Sequence, residues 1–571
     1  MAETPPRNRG SHAPPAVGET APRYAPLWAA LAYALCTLAL MYPALAGRFL
    51  VNPLSDQFGG YAYREFIASA LRSTGSFPLW NPYILGGLPV AAGHGDVFYP
   101  TFLLRLIMPV DAAMNLSFAL HLFLAGLFTY GFLRAWRFGF LAALIGGLGY
   151  MLSGQIASLV SPGHDGKLYV SALAALLLWM ITLGLRDGRV WSWGAVALAT
   201  GLCVLSPHYQ LTYYLGVLAA GYALYLAFRR GDDELRRPVA LKRLGFAIAA
   251  ALLGLGIASI QFLPFFEYIP FSPREGGRGW EYATSYSVPP EELINLYLPQ
   301  FSGIIEGYWG RNPLKLHSEY LGAALLVLAG AAFGAKPRRG FVLFWCLAAG
   351  FALLVAFGGH TPFYRLWYQL PMMKVVRAPS MIFFIVSLAT AALAAVGAER
   401  LLKGEIRARY LVGWVIAALA VALLASVGFF TAIAEALAPP QNVDIVSGNA
   451  EAVMLGGWRS AFFVLCTAGA LWLLARGRIS ATLTGALLAA VVAVDLWSID
   501  RLYFRFSPPA RELYAADPAI DYVRQQGDSA GRVISFPLEP LAVPNDPFLN
   551  GDALMVHRLR TVTGHEGNEL Q

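Results

Sequence analysis

Asp56, in "NPLSDQFGGY" (52–61), puts a carboxylate just where the chain leaves a long apolar run. Only 13% of the residues are charged, and polar groups kept beside lipid despite their cost mark function. Asp ahead of a helical run is also a favoured N-cap, so position alone admits a reactive or a capping carboxylate. In the same stretch "GHGDVFYP" brings His94 and Asp96, oxygen and imidazole ligands for a divalent ion or a bound acceptor. They meet no metal-ligand spacing, and a polar turn between glycines is the simpler reading. "GHDGK" (163–167) sets a His, an Asp and a Lys together. Lys167 can neutralise a phosphate as a point charge, and a solvated turn explains the run equally well. Arg274 in "FSPRE" and Arg377 in "VVRAPS" lie at the ends of apolar runs, where a guanidinium either forks onto phosphate oxygens or snorkels to the interface. Glu267 after "QFLP", Glu319 in "HSEYLG", and His360 with Tyr364 in "GGHTPFY" can orient a polar substrate, and the two glutamates can pair with those arginines. His121 and Asp495 lie inside apolar runs and read as helix–helix hydrogen-bond partners.

The elements that must position these groups are membrane spans. The chain is 57% hydrophobic, and its charge content is about half the roughly 25% of a soluble domain. About thirteen apolar stretches are long enough to cross a bilayer, at 27–46, 112–133, 139–160, 168–185, 190–206, 209–228, 244–263, 318–334, 341–357, 376–398, 410–436, 459–475 and 479–499. With the N-terminus inside, Arg134 and Arg137, Arg186 and Arg189, "RRGDDELRRPVALKR", "KPRR", "ERLLKGEIRAR" and "RGR" all fall in inner loops, as the positive-inside rule requires. The formal net charge of +8 therefore reads as orientation bias and not as a nucleic-acid surface.

The expected architecture is an all-α polytopic membrane protein. Residues 1–26 form a Pro-rich cytoplasmic leader, residues 27–499 the transmembrane domain, and residues 500–571 an outer C-terminal segment that is marginal for an independent core and is expected to dock or to be incomplete. "ALA" at 44–46 imitates a cleavage site, but the long apolar run and leader favour an uncleaved anchor. Two long outer loops, 47–111 and 264–317, hold the breakers and the aromatics. Phe58, Tyr61, Ala62, Phe66 and Leu71 share one helical face, which predicts an amphipathic helix on the membrane surface. "TFLLRLIMP" is too short to cross and is expected to dip into the interface. In the tail "DPAIDYVRQQ" predicts a helix and "GRVISFPL" a strand, the start of a small α/β unit. The four cysteines lie apart within apolar runs and form no disulfide framework or CxxC site. The outer-loop aromatics, among them Trp80, Tyr83, Tyr99, Trp280, Tyr282, Tyr308 and Trp309, fit sugar stacking or an interfacial belt.

Taken in order, "LSDQFGGY", "GSFPLWNPYILGGLPVAAGHGDVFYP", "SPGHDGK", "SPHYQLTYY", "IQFLPFFEYIPFSPRE", "HSEYLG", "FGGHTPFYRLWYQLP", "VRAPS", "VDLW" and "TGHEGNELQ" resemble the bacterial YfhO family of membrane proteins. That family is similar to the GT-C glycosyltransferases, and the resemblance spans nearly the whole chain from about residue 27. It implies sugar transfer from a polyprenyl-phosphate donor to a cell-envelope glycan or lipid on the outer face of the bacterial cell membrane. In that scheme Asp56 matches the acidic residue of the first outer loop and is the base. Lys167, Arg274 and Arg377 hold the phosphate, with Asp96, His94, Glu267, Glu319 and His360 near the sugar or acceptor. No redox cofactor is expected, a divalent metal has no support in the spacing, and no nucleic-acid partner is implied. Family members carry a longer outer C-terminal region, so what that region does is in doubt for this chain. A flippase for a lipid-linked precursor and a non-catalytic assembly factor remain the alternatives. The first predicts polar residues in mid-membrane and broken helices, the second an Asp56 that tolerates replacement.

Overall fold

The computed structural model describes residues 22–92, 95–206, 208–230, 234–272, 275–527, 531–536, 546–550 and 552–564. Helices dominate, and the one sheet among the described residues is a hairpin pairing Trp80–Asn81 with Leu88–Pro89. After α1 (Ala25–Leu45) the first loop carries α2 (Gln57–Thr74) and the single turn α3 (Leu104–Ile107). Then come α4 (Val110–Ala135), α5 (Phe140–Met151), α6 (Gly154–Ala157), α7 (Asp165–Leu185), α8 (Ser192–Leu205), α9 (Tyr209–Phe228), α10 (Arg237–Ile257) and α11 (Ser259–Tyr268). The second long loop holds α12 (Gly279–Thr284) and leads to α13 (Ala323–Gly330) and α14 (Arg339–Ala356), with α15 (Phe363–Trp367) before α16 (Phe384–Leu402). Helices α17 (Ala408–Ser426), α18 (Phe429–Leu437), α19 (Val443–Ala475) and α20 (Ala481–Asp500) complete the bundle, and α21 (Ala510–Leu513) and α22 (Pro518–Gln525) belong to the tail.

Among the described residues, ten helices are long and apolar enough to cross a membrane, and α5 with the stretch to Val160 makes an eleventh if that pair, bent by 48°, is one span. Two of the predicted spans are shorter than expected. Helix α8 has 14 residues, about 21 Å against a hydrocarbon core of about 30 Å. Only eight residues of the predicted span 318–334 are helical, as α13. Its first residues are used differently: the Gly154 N–H donates to Tyr320 O (2.8 Å) and the Ser318 N–H to Ser158 Oγ (2.9 Å), which closes the backbone of the bent span. The start of α13 is fixed by Asp495 on α20, whose carboxylate accepts from the Ala324 N–H (2.9 Å) and the Tyr320 hydroxyl (2.7 Å). Asp495 is thus the interhelical partner expected of it, whereas His121 pairs with Tyr99 of the first loop (2.8 Å) and with Ser117 O of its own helix (2.7 Å).

Small residues let the centre close. Helix α16, rich in Ala and apolar on all sides, has 94% of its apolar stretch buried, while α10 and α17 at 17% turn outward, the pattern of central and lipid-facing helices. The basic loops expected on one side do meet. Arg186 donates to Ala135 O (2.8 Å), Arg243 to Arg186 O (3.1 Å), and Arg338 to Trp136 O (3.1 Å) and Glu399 (3.0 Å).

At the opposite end, an antiparallel bridge joins Phe49 to Ser507. The ends of α1 and α20 therefore share a face, which requires an even number of crossings between them. Helix α2 forms as predicted and stops at Gly75 (φ 70), whose N–H returns to Leu71 O (3.0 Å). It does not lie bare on the surface: Phe58, Ala62, Ile67 and Arg64 are all buried. The C-terminal segment docks on it, with Tyr514 stacked on Tyr61 (4.6 Å) and bonded through its hydroxyl to Phe58 O. The predicted tail helix is α22, capped by Asp517, whose carboxylate accepts from the Ile520 N–H (2.7 Å). The predicted α/β character is not met among the described residues. "GRVISFPL" supplies one bridge, Val533 with Thr561, and its residues from 537 on lie outside the described residues, as do leader residues 1–21 and most of "TVTGHEGNELQ".

Candidate functional site

A cavity of about 370 Å³ opens where the start of α2, the loop before α7, the start of α9, the segment before α16 and the C-terminal segment converge. Its wall combines polar residues, Asp56, His164, Lys167, His208, Gln210 and Arg377, with apolar ones, Tyr209, Phe265, Ile269, Met372, Val375 and Val376.

Local sequence explains the polar residues. Asp56 precedes α2, yet its carboxylate makes no capping bond to the helix. Its N–H donates to Pro162 O (2.9 Å) instead, tying the first loop to "SPGHDGK". Gly163 (φ +72) is needed there, since a Cβ would stand 2.4 Å from Ser55 Oγ. The next bond is Gln57 Nε2 to Gly163 O (2.6 Å). This brings His164 Nε2 within 3.2 Å of Asp56 Oδ2, whose side chain remains 59% exposed. On the other ring edge, His164 Nδ1 lies 2.8 Å from Lys167 Nζ. An ammonium only donates, so Nδ1 accepts and the Nε2–H faces Asp56. Burial first, then the charge of Lys167 with Arg377 adding, lowers the His164 pKa below its ordinary value, although Asp56 opposes this. The imidazole is therefore neutral near pH 7. Lys167, on the first turn of α7, is 5% exposed. The Arg377 guanidinium lies 5.6 Å from the rings of both Tyr282 and Tyr286, and its carbonyl accepts from Gln210 Nε2 (2.7 Å).

Behind this wall runs a buried chain of charge. Arg64 of α2 donates to Asp165, to Asp96 Oδ1 (3.1 Å) and to Gln57 Oε1 (2.6 Å). Arg105 of α3 grips Asp96 with two bonds, 2.8 and 2.6 Å. Burial alone would raise the Asp96 pKa, but Arg105 and then Arg64 outweigh it and hold the carboxyl well below the usual range.

The residues singled out by sequence thus divide. Asp56, Lys167 and Arg377 share the cavity. Asp96 does not line it: with no exposure and two arginines on its oxygens, it is a structural anchor and not an open ligand for acceptor or metal. Glu267 is exposed on α11, whose cavity-facing residue is Phe265. Glu319 is buried against Lys315, which also bonds Glu292, in a separate cluster. His360 is exposed outside the cavity, where burial and the nearby Arg311 lower its pKa. His94 and Arg274 lie outside the described residues. Among the described residues no three His, Cys, Asp or Glu side chains gather as metal ligands would. Of the aromatics, Tyr282 reaches the cavity, Trp309 is buried, and Trp80 is half exposed.

Sequence reasoning met His164 only as part of "GHDGK" and did not select Arg64, Arg105 or Asp552, although Asp552 and Met555 of the C-terminal segment line the cavity. One signal was available: Arg105 in "TFLLRLIMP" is a lone cation in an apolar stretch, which calls for a buried partner. Asp552 carried none, because its partner surface is about 490 residues away in the chain.

No protein-family model matches the chain, and no curated protein does. Among solved structures, ArnT from Cupriavidus metallidurans in the apo state aligns with a TM-score of 0.51 and 17% identity, over 95% of this chain and 86% of that one. Its structure bound to undecaprenyl phosphate aligns at 0.47, with 16% identity over 94% and 85%. Arabinofuranosyltransferase AftD from mycobacteria aligns at 0.39, with 15% identity over 64% and 25%. The first alignment establishes an ArnT-like fold; the other two add nothing to it.

Proposed function

We propose that the protein is a membrane glycosyltransferase of GT-C type. It takes a sugar from a polyprenyl-phosphate donor and passes it to a cell-envelope glycan or lipid hydroxyl. The observation that carries this reading is one cavity lined by Asp56, Lys167 and Arg377 together with apolar side chains. The apolar residues Phe265, Ile269, Val375 and Val376 suit the prenyl chain, and the two cations suit the phosphate. In the reaction the acceptor oxygen attacks the anomeric carbon from the face opposite the phosphate, with inversion. Asp56 takes the hydroxyl proton as the new bond forms. The carbon–oxygen bond to phosphate breaks, and the departing polyprenyl phosphate keeps its electron pair, held by Lys167 and Arg377. His164 donates through Nε2 and keeps the Asp56 carboxylate aimed. With the basic loops in the cytoplasm the cavity opens on the outer side of the cell membrane.

A flippase reading is weaker. Its mid-membrane charges, Asp495 and Arg459, bond each other at 3.0 Å, and Asp495 also binds the start of α13. Comparing wild type with Asp56→Asn in transfer from a panel of polyprenyl-phosphate sugars to envelope extracts tests the proposal. Wild-type transfer that falls at least about a hundredfold in the variant, with thermal unfolding unchanged, is expected; equal transfer by both removes Asp56 as the base.

A further inference from the structure

Gln210 ends "SPHYQ", the stretch that breaks α8 from α9. It stands on the first turn of α9, is 8% exposed and lines the cavity. The chain around it fixes its place: Thr212 Oγ1 donates across the break to Cys203 O (2.7 Å), and the His208 ring accepts from the Leu211 N–H (3.4 Å). From there Gln210 Nε2 donates to Arg377 O (2.7 Å), with Ala378 O at 3.4 Å, and to the buried Tyr214 hydroxyl (2.9 Å). Carbonyl oxygens only accept, so the amide nitrogen must face them, and a side chain without a donor cannot replace it.

The segment that Gln210 grips is strained. Ala378 has φ 57, and Tyr286, next to Ser285, has φ 56, a left-handed backbone that residues with side chains adopt only at a cost. The Ala378 N–H donates to Ser285 O (3.0 Å), which joins the two strained positions, and the Tyr286 ring lies 5.6 Å from the Arg377 guanidinium. Such backbone persists where the surrounding structure over-determines it, and it gathers at ligand sites. Here α9, through Gln210, and the second long loop, through Ser285, both hold residues 377–378, while Arg377 itself is exposed. We propose that Gln210 is a positioning residue for Arg377: by holding its carbonyl, it fixes where the guanidinium meets the phosphate of the lipid donor. The inference rests on the glycosyltransferase reading above, in which Arg377 binds that phosphate.

The test is a double-mutant cycle of Gln210→Met and Arg377→Gln, read as binding of undecaprenyl phosphate to the full-length protein in detergent. Methionine keeps the length of glutamine and loses the donor; Gln210→Leu serves as an independent second variant. Either substitution alone is expected to weaken binding about tenfold, with thermal unfolding confirming the fold. In the Arg377→Gln background the same substitution is expected to change affinity by less than about twofold, because the group it positions is gone. General damage to the fold would instead appear in both backgrounds. Unaltered affinity in both single variants, or an equal loss in the Arg377→Gln background, overturns the positioning role alone. A wild type that does not bind the lipid, or an Arg377→Gln variant that binds it as well as wild type does, overturns the phosphate site of the proposed function together with it.

Discussion

At the scale of residues, the site depends on groups that stay neutral or paired because of what surrounds them. His317 illustrates this beside the cavity. Burial first, then the charges of Lys167 and Lys315 and the nearby His164, lowers its pKa from 6.5 to about 3. A histidine whose folded pKa lies below its unfolded one stays neutral in the fold while the unfolded chain takes up a proton. Stability from this group is thus complete above about pH 6.5 and falls as pH drops toward about 3, by up to about 1.4 kcal/mol per pH unit. Thermal unfolding of wild type and His317→Gln between pH 7 and pH 4 checks this: the wild-type curve should fall more steeply, and parallel curves would contradict the assignment.

At the scale of elements, α2, α3 and α7 are tied by Arg64, Asp96, Arg105 and Asp165, all of them buried. Removing one member of such a chain leaves uncompensated charge, at about 3–5 kcal/mol. Asp96→Asn should lower stability by that amount, and because α2 begins directly after Asp56, it should also loosen ligand binding. Chemical unfolding in detergent reads the first effect. A change below about 1 kcal/mol would place the anchor elsewhere. The short α13 makes the same point, since hydropathy predicts a span from 318 while Asp495, from a distant helix, begins the helix at Ala323.

For the whole molecule, the basic loops converge on one face and the cavity, both long loops and the tail on the other. If the basic face is cytoplasmic, Ser76→Cys, exposed just after α2, should react with an impermeant thiol reagent on spheroplasts, and Arg478→Cys, exposed between α19 and α20, should not. Native cysteines are replaced first. Labelling of the second alone would invert the topology.

What the sequence determined by itself follows from periodicity and composition. The all-α polytopic fold, the positions of nearly every span and the gathering of basic loops rest on local signals, because a bilayer demands about 20 apolar residues for each crossing. Asp56, Lys167 and Arg377 were legible as polar groups held at span ends. Only the tertiary structure decided which polar groups are open and which are consumed. Asp96 and Glu319 look as exposed in sequence as Asp56, yet Arg105, Arg64 and Lys315 bury them. His164 and Asp552 enter the cavity because loops far apart in the chain meet there. Burial and charge pairing depend on distance in space, and no local pattern along the chain encodes it.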